Sequence, residues 1–252
     1  MPASSPSAVP RSAGLALAWL QRTSAEVPPV VLQPNRFFVA WHGVLTVSFL
    51  GFPRPVLGFK RQIERRKLGL NPEYPGSRWP HTTLGALHED ATLQRSDLDT
   101  LLAIARRHEP ALLQESVLID AFRVVQLGTR SHEFRRLTLD LPLGTGPAIS
   151  EVPVEHANLV ASLLTPFSED MLETYWPRVN SAEHRAPHYQ TECGHASLVM
   201  DWPHRPLPAV DAFLQDVEAA LPGKYVFFPP SSRHITVRAL EPLNFAALQE
   251  AS

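Results

Sequence analysis

Two short stretches of the chain place an imidazole and a hydroxyl at the same spacing. His81-Thr82-Thr83-Leu84-Gly85-Ala86-Leu87 and His234-Ile235-Thr236-Val237-Arg238-Ala239-Leu240 share the form His-x-Thr-apolar-x-Ala-Leu. Imidazole titrates near neutral pH, so one histidine can accept a proton while a second donates one. A hydroxyl two residues on can hold a non-bridging phosphate oxygen. On a strand, alternate side chains share a face. His81 with Thr83, and His234 with Thr236, are therefore expected to project together, with Thr82, Leu84, Ile235 and Val237 on the other side. Two such strands side by side would gather two imidazoles and two hydroxyls around one point, an apparatus for cleaving a phosphodiester without a metal. Arg238 stands at an even offset from His234 and is expected on the same face as a phosphate ligand; the alternative is a strand-edge arginine reaching solvent. Arg78 and Arg233, just ahead of each histidine, are further candidates for steering a phosphate.

The elements that must carry these motifs are legible around them. Val44 to Leu50 predicts a buried strand, and Val56, Phe59 and Ile63 mark the apolar side of a helix with a basic outer face. The first motif itself predicts a strand from His81 to Leu87. Ser96, Asp97 and Asp99 open a helix with Leu98, Leu101 and Ala105 inward, and Arg106 and Arg107 before Pro110 close it. Strands are expected near Val117 to Leu127 and Arg136 to Leu141. A strand from Ala196 to Trp202, a helix from Ala209 to Leu221 and a last strand from His234 to Leu240 complete the chain.

The last three elements repeat the first three. Each set runs strand, aromatic-proline pair (Phe52-Pro53 and Trp202-Pro203), amphipathic helix, and a Ser-Arg close to the His-x-Thr strand. Leu45 to His81 and Ala196 to His234 are nearly equal spans, which points to an internal duplication. The duplicated motif, each copy closing a strand-helix-strand unit, resembles the 2H phosphoesterase superfamily. That superfamily is defined by two His-x-Thr/Ser motifs and includes RNA 2′,3′-cyclic phosphodiesterases and bacterial RNA ligase-like proteins. The resemblance covers roughly residues 37 to 90 and 195 to 242. It implies an α+β fold of two pseudo-symmetric lobes, with antiparallel-rich sheets around a central cleft. It also implies His81 and His234 as general acid and base in either order, Thr83 and Thr236 on the scissile phosphate, and no cofactor. The implied reaction opens a nucleoside or RNA-terminal 2′,3′-cyclic phosphate to a 2′-phosphate; the alternative is a non-catalytic nucleotide- or RNA-binding protein of the same fold. A rival second motif is His195-Ala196-Ser197, although the repeat aligns His195 with the first strand of its unit instead.

On this reading residues 1–34 are a flexible N-terminal arm and 35–252 one bilobal domain: lobe one about 35–143, an insertion or lid about 144–192, and lobe two about 193–252. The arm has no acidic residue before Glu26, and Arg11 and Arg22 flank an apolar LALAWL patch, so an organelle transit segment is the alternative. The 252 residues are 44% hydrophobic, enough for a sizeable core, and 25 prolines against 12 glycines exclude a bundle of long helices. Prolines mark the strand-helix joints (Pro53, Pro55, Pro203, Pro206, Pro208) and the approaches to both histidines (Pro75, Pro80, Pro229, Pro230). A formal net charge of -2 suits a cleft for a small nucleotide or an RNA 3′ end better than a surface for duplex DNA or a membrane. The single cysteine, Cys193, forbids an intramolecular disulfide and points to an intracellular, cytoplasmic setting. His184, His188, Cys193 and His195 are metal-ligand types, but their spacing matches no zinc pattern, and they are read as a solvated loop without a metal. A Gly-x-Ser-x-Gly elbow is absent, and Gly144-Thr145-Gly146 is followed by Ile149 where a dinucleotide fingerprint needs glycine. Trp79, Trp202, Tyr225 and Phe228 are candidates for stacking a base, against the alternative of packing.

Overall fold

Apolar residues recur at every second position along the extended segments and every third or fourth along the helical ones, and each segment buries that side. The computed structural model describes residues 8–74, 76–181, 183–202 and 207–246. The chain opens with helix α1 (Ala8–Ser24), strands β1 (Val30–Leu32), β2 (Pro34–Val39) and β3 (Leu45–Phe49), helix α2 (Arg54–Arg66) and strand β4 (His81–Leu87). Helix α3 (Arg95–Leu112) and strands β5 (Val117–Ile119), β6 (Ala121–Leu127) and β7 (Arg135–Pro142) follow. Then come helices α4 (Val154–Leu164), α5 (Leu172–Val179) and α6 (Ala186–Gln190), strand β8 (Ala196–Asp201), helix α7 (Pro208–Ala220), and strands β9 (Tyr225–Phe227) and β10 (His234–Ala239).

The fold is mixed α+β with antiparallel sheets. One four-stranded sheet has the order β2-β3-β4-β9, the other β10-β8-β6-β7, and β1 pairs with β5 in a small third sheet. The lobe boundaries expected from the sequence need correcting. Strands β6 and β7 belong to the sheet of the second motif, and β9, from the C-terminal part of the chain, belongs to the sheet of the first. The helices cross over as well. Phe59 of α2 stacks on Phe122 of β6 at 5.0 Å, while Phe213 of α7 stacks on Phe37 of β2 at 4.2 Å. Each repeat unit thus supplies the helix that covers the other unit's sheet, and a single continuous core runs through both.

The N-terminal stretch is not a loose arm over its described part. Ala13, Ala16 and Leu20 form an apolar stripe on α1, buried in the core, and Trp19 stacks on Phe59 at 6.4 Å. Residues 144–192 are tied down as well: Tyr175 and Val179 are fully buried, and the Tyr175 hydroxyl donates to the Val39 carbonyl. Helix α3 begins earlier than its Ser96 signal, because Gln94 and Asp97 form a reciprocal capping box, and it runs through Pro110 to Leu112. No helix among the described residues is long and apolar enough to cross a membrane. Pro75, Pro203 and Pro206 lie outside the described residues.

Candidate active site

Both motifs form strands, and each pairs antiparallel with the strand that opens its unit. His81 faces Ser48 and Thr83 faces Thr46 across β4 and β3; His234 faces Asp201 and Thr236 faces Val199 across β10 and β8. The register slips at the same place in both. Leu84 is passed over between the Thr46–Thr83 and Leu45–Gly85 pairs, and Val237 between Thr236–Val199 and Arg238–Leu198. Each motif therefore carries a bulge at its fourth residue, immediately after the threonine, which bends the strand there. Leu84 and Val237 are fully buried, and His81, Thr83, His234 and Thr236 sit on the opposite, partly open side.

The two imidazoles are held in the same way. His81 Nδ1 lies 2.8 Å from the carbonyl of Trp79, and His234 Nδ1 lies 2.7 Å from the carbonyl of Ser232, in each case the residue two before. A carbonyl only accepts, so each Nδ1 carries the hydrogen and each Nε2 keeps its lone pair. The strands meet directly: Thr82 Oγ1 donates to the carbonyl of His234 at 2.8 Å and accepts from Trp202 Nε1 at 3.0 Å. Burial pushes the His234 imidazole down to about 4, and Arg135 and His81 push the same way, against the Ser232 carbonyl and Asp201. Burial also lowers His81, with Arg78 adding to it and the Trp79 carbonyl opposing. The Thr83 and Thr236 hydroxyls have no hydrogen-bond partner among the described residues.

A cavity of about 340 Å³ opens on the first sheet, and His81 and Thr83 stand in its wall. The rest of that wall is largely aromatic: Phe38, Trp41, Trp79, Phe167 and Tyr189. The Trp79 ring lies 4.4 Å from that of His81. On the second sheet Asp201 takes a bidentate grip on Arg135, at 2.5 and 2.9 Å, and a third bond from Arg123 at 2.9 Å. This fixes a guanidinium close enough to His234 to depress its protonation. A third histidine, His132, is buried with its ring stacked 3.4 Å from that of His234, and its Nδ1 has no hydrogen-bond partner among the described residues.

Comparisons with protein-family models, curated proteins and solved structures return no match.

The β4–β10 contact sets His81 near enough to His234 to act on its charge, with Thr83 and Thr236 two residues along each strand, but the other candidates disperse. Arg238 is not on the His234 face. The bulge sets Val237 and Arg238 both against Leu198, so Arg238 turns inward, 4% exposed, to Glu73 at 3.1 Å and the Asn71 carbonyl at 2.7 Å. Arg233, also buried, sits just before β10, pairs with Asp211 at 3.1 Å and lies over the Trp202 ring. Arg78 is half-exposed, 3.6 Å from Glu73, yet near enough to His81 to act on its charge. His195 is six residues before Asp201, roughly 20 Å along the strand direction, and pairs with Glu241 at 2.5 Å. It stands at the far end of β8 from His234, so His195-Ala196-Ser197 is no second motif of this site. Ser197 itself faces Ala239 and Val125. Of the four aromatics expected to stack a base, Trp79 alone lines the cavity. Trp202 braces Thr82, Tyr225 donates to the Gly43 carbonyl at 3.0 Å, and Phe228 is buried against Tyr189. Trp41, Phe167, Tyr189, His132, Asp201 and Arg135 carried no signal in the sequence, because each belongs to a segment whose neighbour in space is remote in the chain.

Proposed function

We propose that the protein is a phosphodiesterase of the 2H type that opens a 2′,3′-cyclic phosphate on a nucleoside or an RNA 3′ end to a 2′-phosphate, using two imidazoles and no metal for the chemical step. The observation that carries this reading is the matched suspension of His81 and His234, each by Nδ1 from its own second-preceding carbonyl, on two bulged strands joined by Thr82. The two sheets then act as pseudo-symmetric lobes, with the cleft between β4 and β10. One Nε2 takes a proton from water as its oxygen attacks phosphorus, the bond from phosphorus to the 3′ oxygen breaks, and the other imidazole, protonated, gives its proton to that leaving oxygen. Thr83 and Thr236 donate to the non-bridging oxygens, and the aromatic wall beside His81 receives the base.

One observation favours the alternative, a nucleotide- or RNA-binding protein without turnover: both imidazoles are held below their ordinary range, so neither stands ready as an acid. A bound phosphate reverses that, because an anion between the rings stabilises the imidazolium. The deciding assay incubates the full chain with nucleoside 2′,3′-cyclic monophosphates in EDTA and follows the 2′-monophosphate. Turnover is expected, and His81→Ala and His234→Ala should each lower kcat by roughly 10²- to 10⁴-fold. Ligand binding without turnover by the unaltered chain would leave the binding protein as the correct reading.

A further inference from the structure

At the rim of the cavity, three donors from two remote segments converge. His42 belongs to a one-turn 3-10 helix at Trp41–Gly43, and Glu183 and His184 lead into α6. One ligand atom from each lies within 4.8 Å of the other two, and His42 Nε2 is 3.8 Å from Glu183 Oε2. His42 Nδ1 is engaged by the Ser181 hydroxyl, so Nε2 is the ring nitrogen that faces the Glu183 carboxylate. The His184 ring closes the third side with its centroid 4.5 Å from that of His42. A hydrogen-bonded far nitrogen is also how metal-ligating histidines are held.

We propose that His42, Glu183 and His184 bind one divalent transition-metal ion of the zinc class, which fastens the segment before α6 to the 41–43 turn at the mouth of the cavity. Two imidazoles and one carboxylate suit such an ion and not magnesium or calcium, which take oxygen ligands. Tetrahedral zinc with bonds of 2.0–2.1 Å puts its ligand atoms roughly 3.4 Å apart. A closure of about 1 Å reaches that, and Glu183 and His184, the two exposed members, can supply it around the largely buried His42. Three protein ligands leave a fourth position for water or an anion. The histidine-rich stretch at 184–195 thus divides. His184 is a ligand, while His195 pairs with Glu241 and Cys193 packs beside Val125, Leu127 and Val199. The missing partner, His42, is far away in sequence.

The test strips the full chain with EDTA, removes the chelator, and equilibrates the protein with Zn²⁺ by dialysis, with metal content read by elemental analysis. One Zn²⁺ per chain is expected, and Co²⁺ in its place should give visible d–d bands. Glu183→Gln and His184→Ala, both at exposed positions, and His42→Asn, which tolerates the positive φ of 64° there, should each weaken Zn²⁺ binding at least tenfold. His195→Ala should leave it unchanged. No stoichiometric Zn²⁺, or retention unaltered in Glu183→Gln and His184→Ala, overturns the proposal. Hydrolysis in EDTA plays no part in either outcome, so this site and the phosphodiesterase reading stand or fall separately.

Discussion

A half-buried imidazole whose Nδ1 hydrogen is tied to a carbonyl is a good base and a reluctant acid. Taking a second proton puts a charge where little water can solvate it. His234 carries this furthest, being pressed also by the guanidinium of Arg135 and by His81. In the free protein His234 should titrate near 4 and His81 below its ordinary 6.5, as ¹⁵N chemical shifts of the two rings would show. Adding inorganic phosphate should raise at least one of them, and that ligand should bind more tightly as pH falls from 7.5 toward 5.5. Rings that titrate together at 6.5, with or without phosphate, would remove the electrostatic basis of the site. The same shifts bear on folding. The unfolded chain takes a proton on each ring near 6.5 and the folded chain only lower down, so this contribution to stability is whole above pH 6.5. It is lost as pH falls from 6.5 toward 4, by at most about 1.4 kcal/mol per pH unit for each ring.

Strand alternation correctly put His81 with Thr83 and His234 with Thr236, and then failed two residues later, at Arg238. The reason is the bulge, which nothing in Val237-Arg238 announces and which adds a residue to β10 without adding one to β8. In the first copy the equivalent slip falls at Leu84-Gly85. There glycine leaves no side chain to misplace, and its backbone approaches β9 so closely that a Cβ would lie 2.8 Å from the Val226 carbonyl. Arg238 is consequently a brace. It shares Glu73 with Lys60, whose ammonium also donates to the carbonyl of the bulged Val237. Arg238→Met should therefore leave KM for a cyclic nucleotide within about twofold and lower the stability by about 1–3 kcal/mol, because the Asn71 carbonyl and Glu73 lose a donor. The opposite result, a large rise in KM at unchanged stability, would return Arg238 to the phosphate.

At the scale of the whole chain, the repeat was readable because its signals are local: two strands, two amphipathic helices, two motifs. How the repeats combine was not, since the partner of each helix lies in the other unit. Phe59 follows an ordinary helical spacing, and only the fold reveals that its ring rests on Phe122 and Trp19. The same exchange takes β9 into the first sheet and β6 and β7 into the second, which is why boundaries drawn along the chain misplace the lobes. A site whose two imidazoles come from different sheets needs those sheets to move as one. Interchanged helices provide this, because neither sheet is covered without the other unit. Unfolding should then be a single transition, with tryptophan fluorescence and far-ultraviolet circular dichroism falling together in urea. Phe59→Ala and Phe213→Ala, though they lie on opposite sheets, should each lower that one transition by about 3–5 kcal/mol. Were Phe59→Ala to split it, with one half melting early and the other at its old midpoint, the two sheets would be independent units. The fixed spacing of His81 and His234 would then require another explanation.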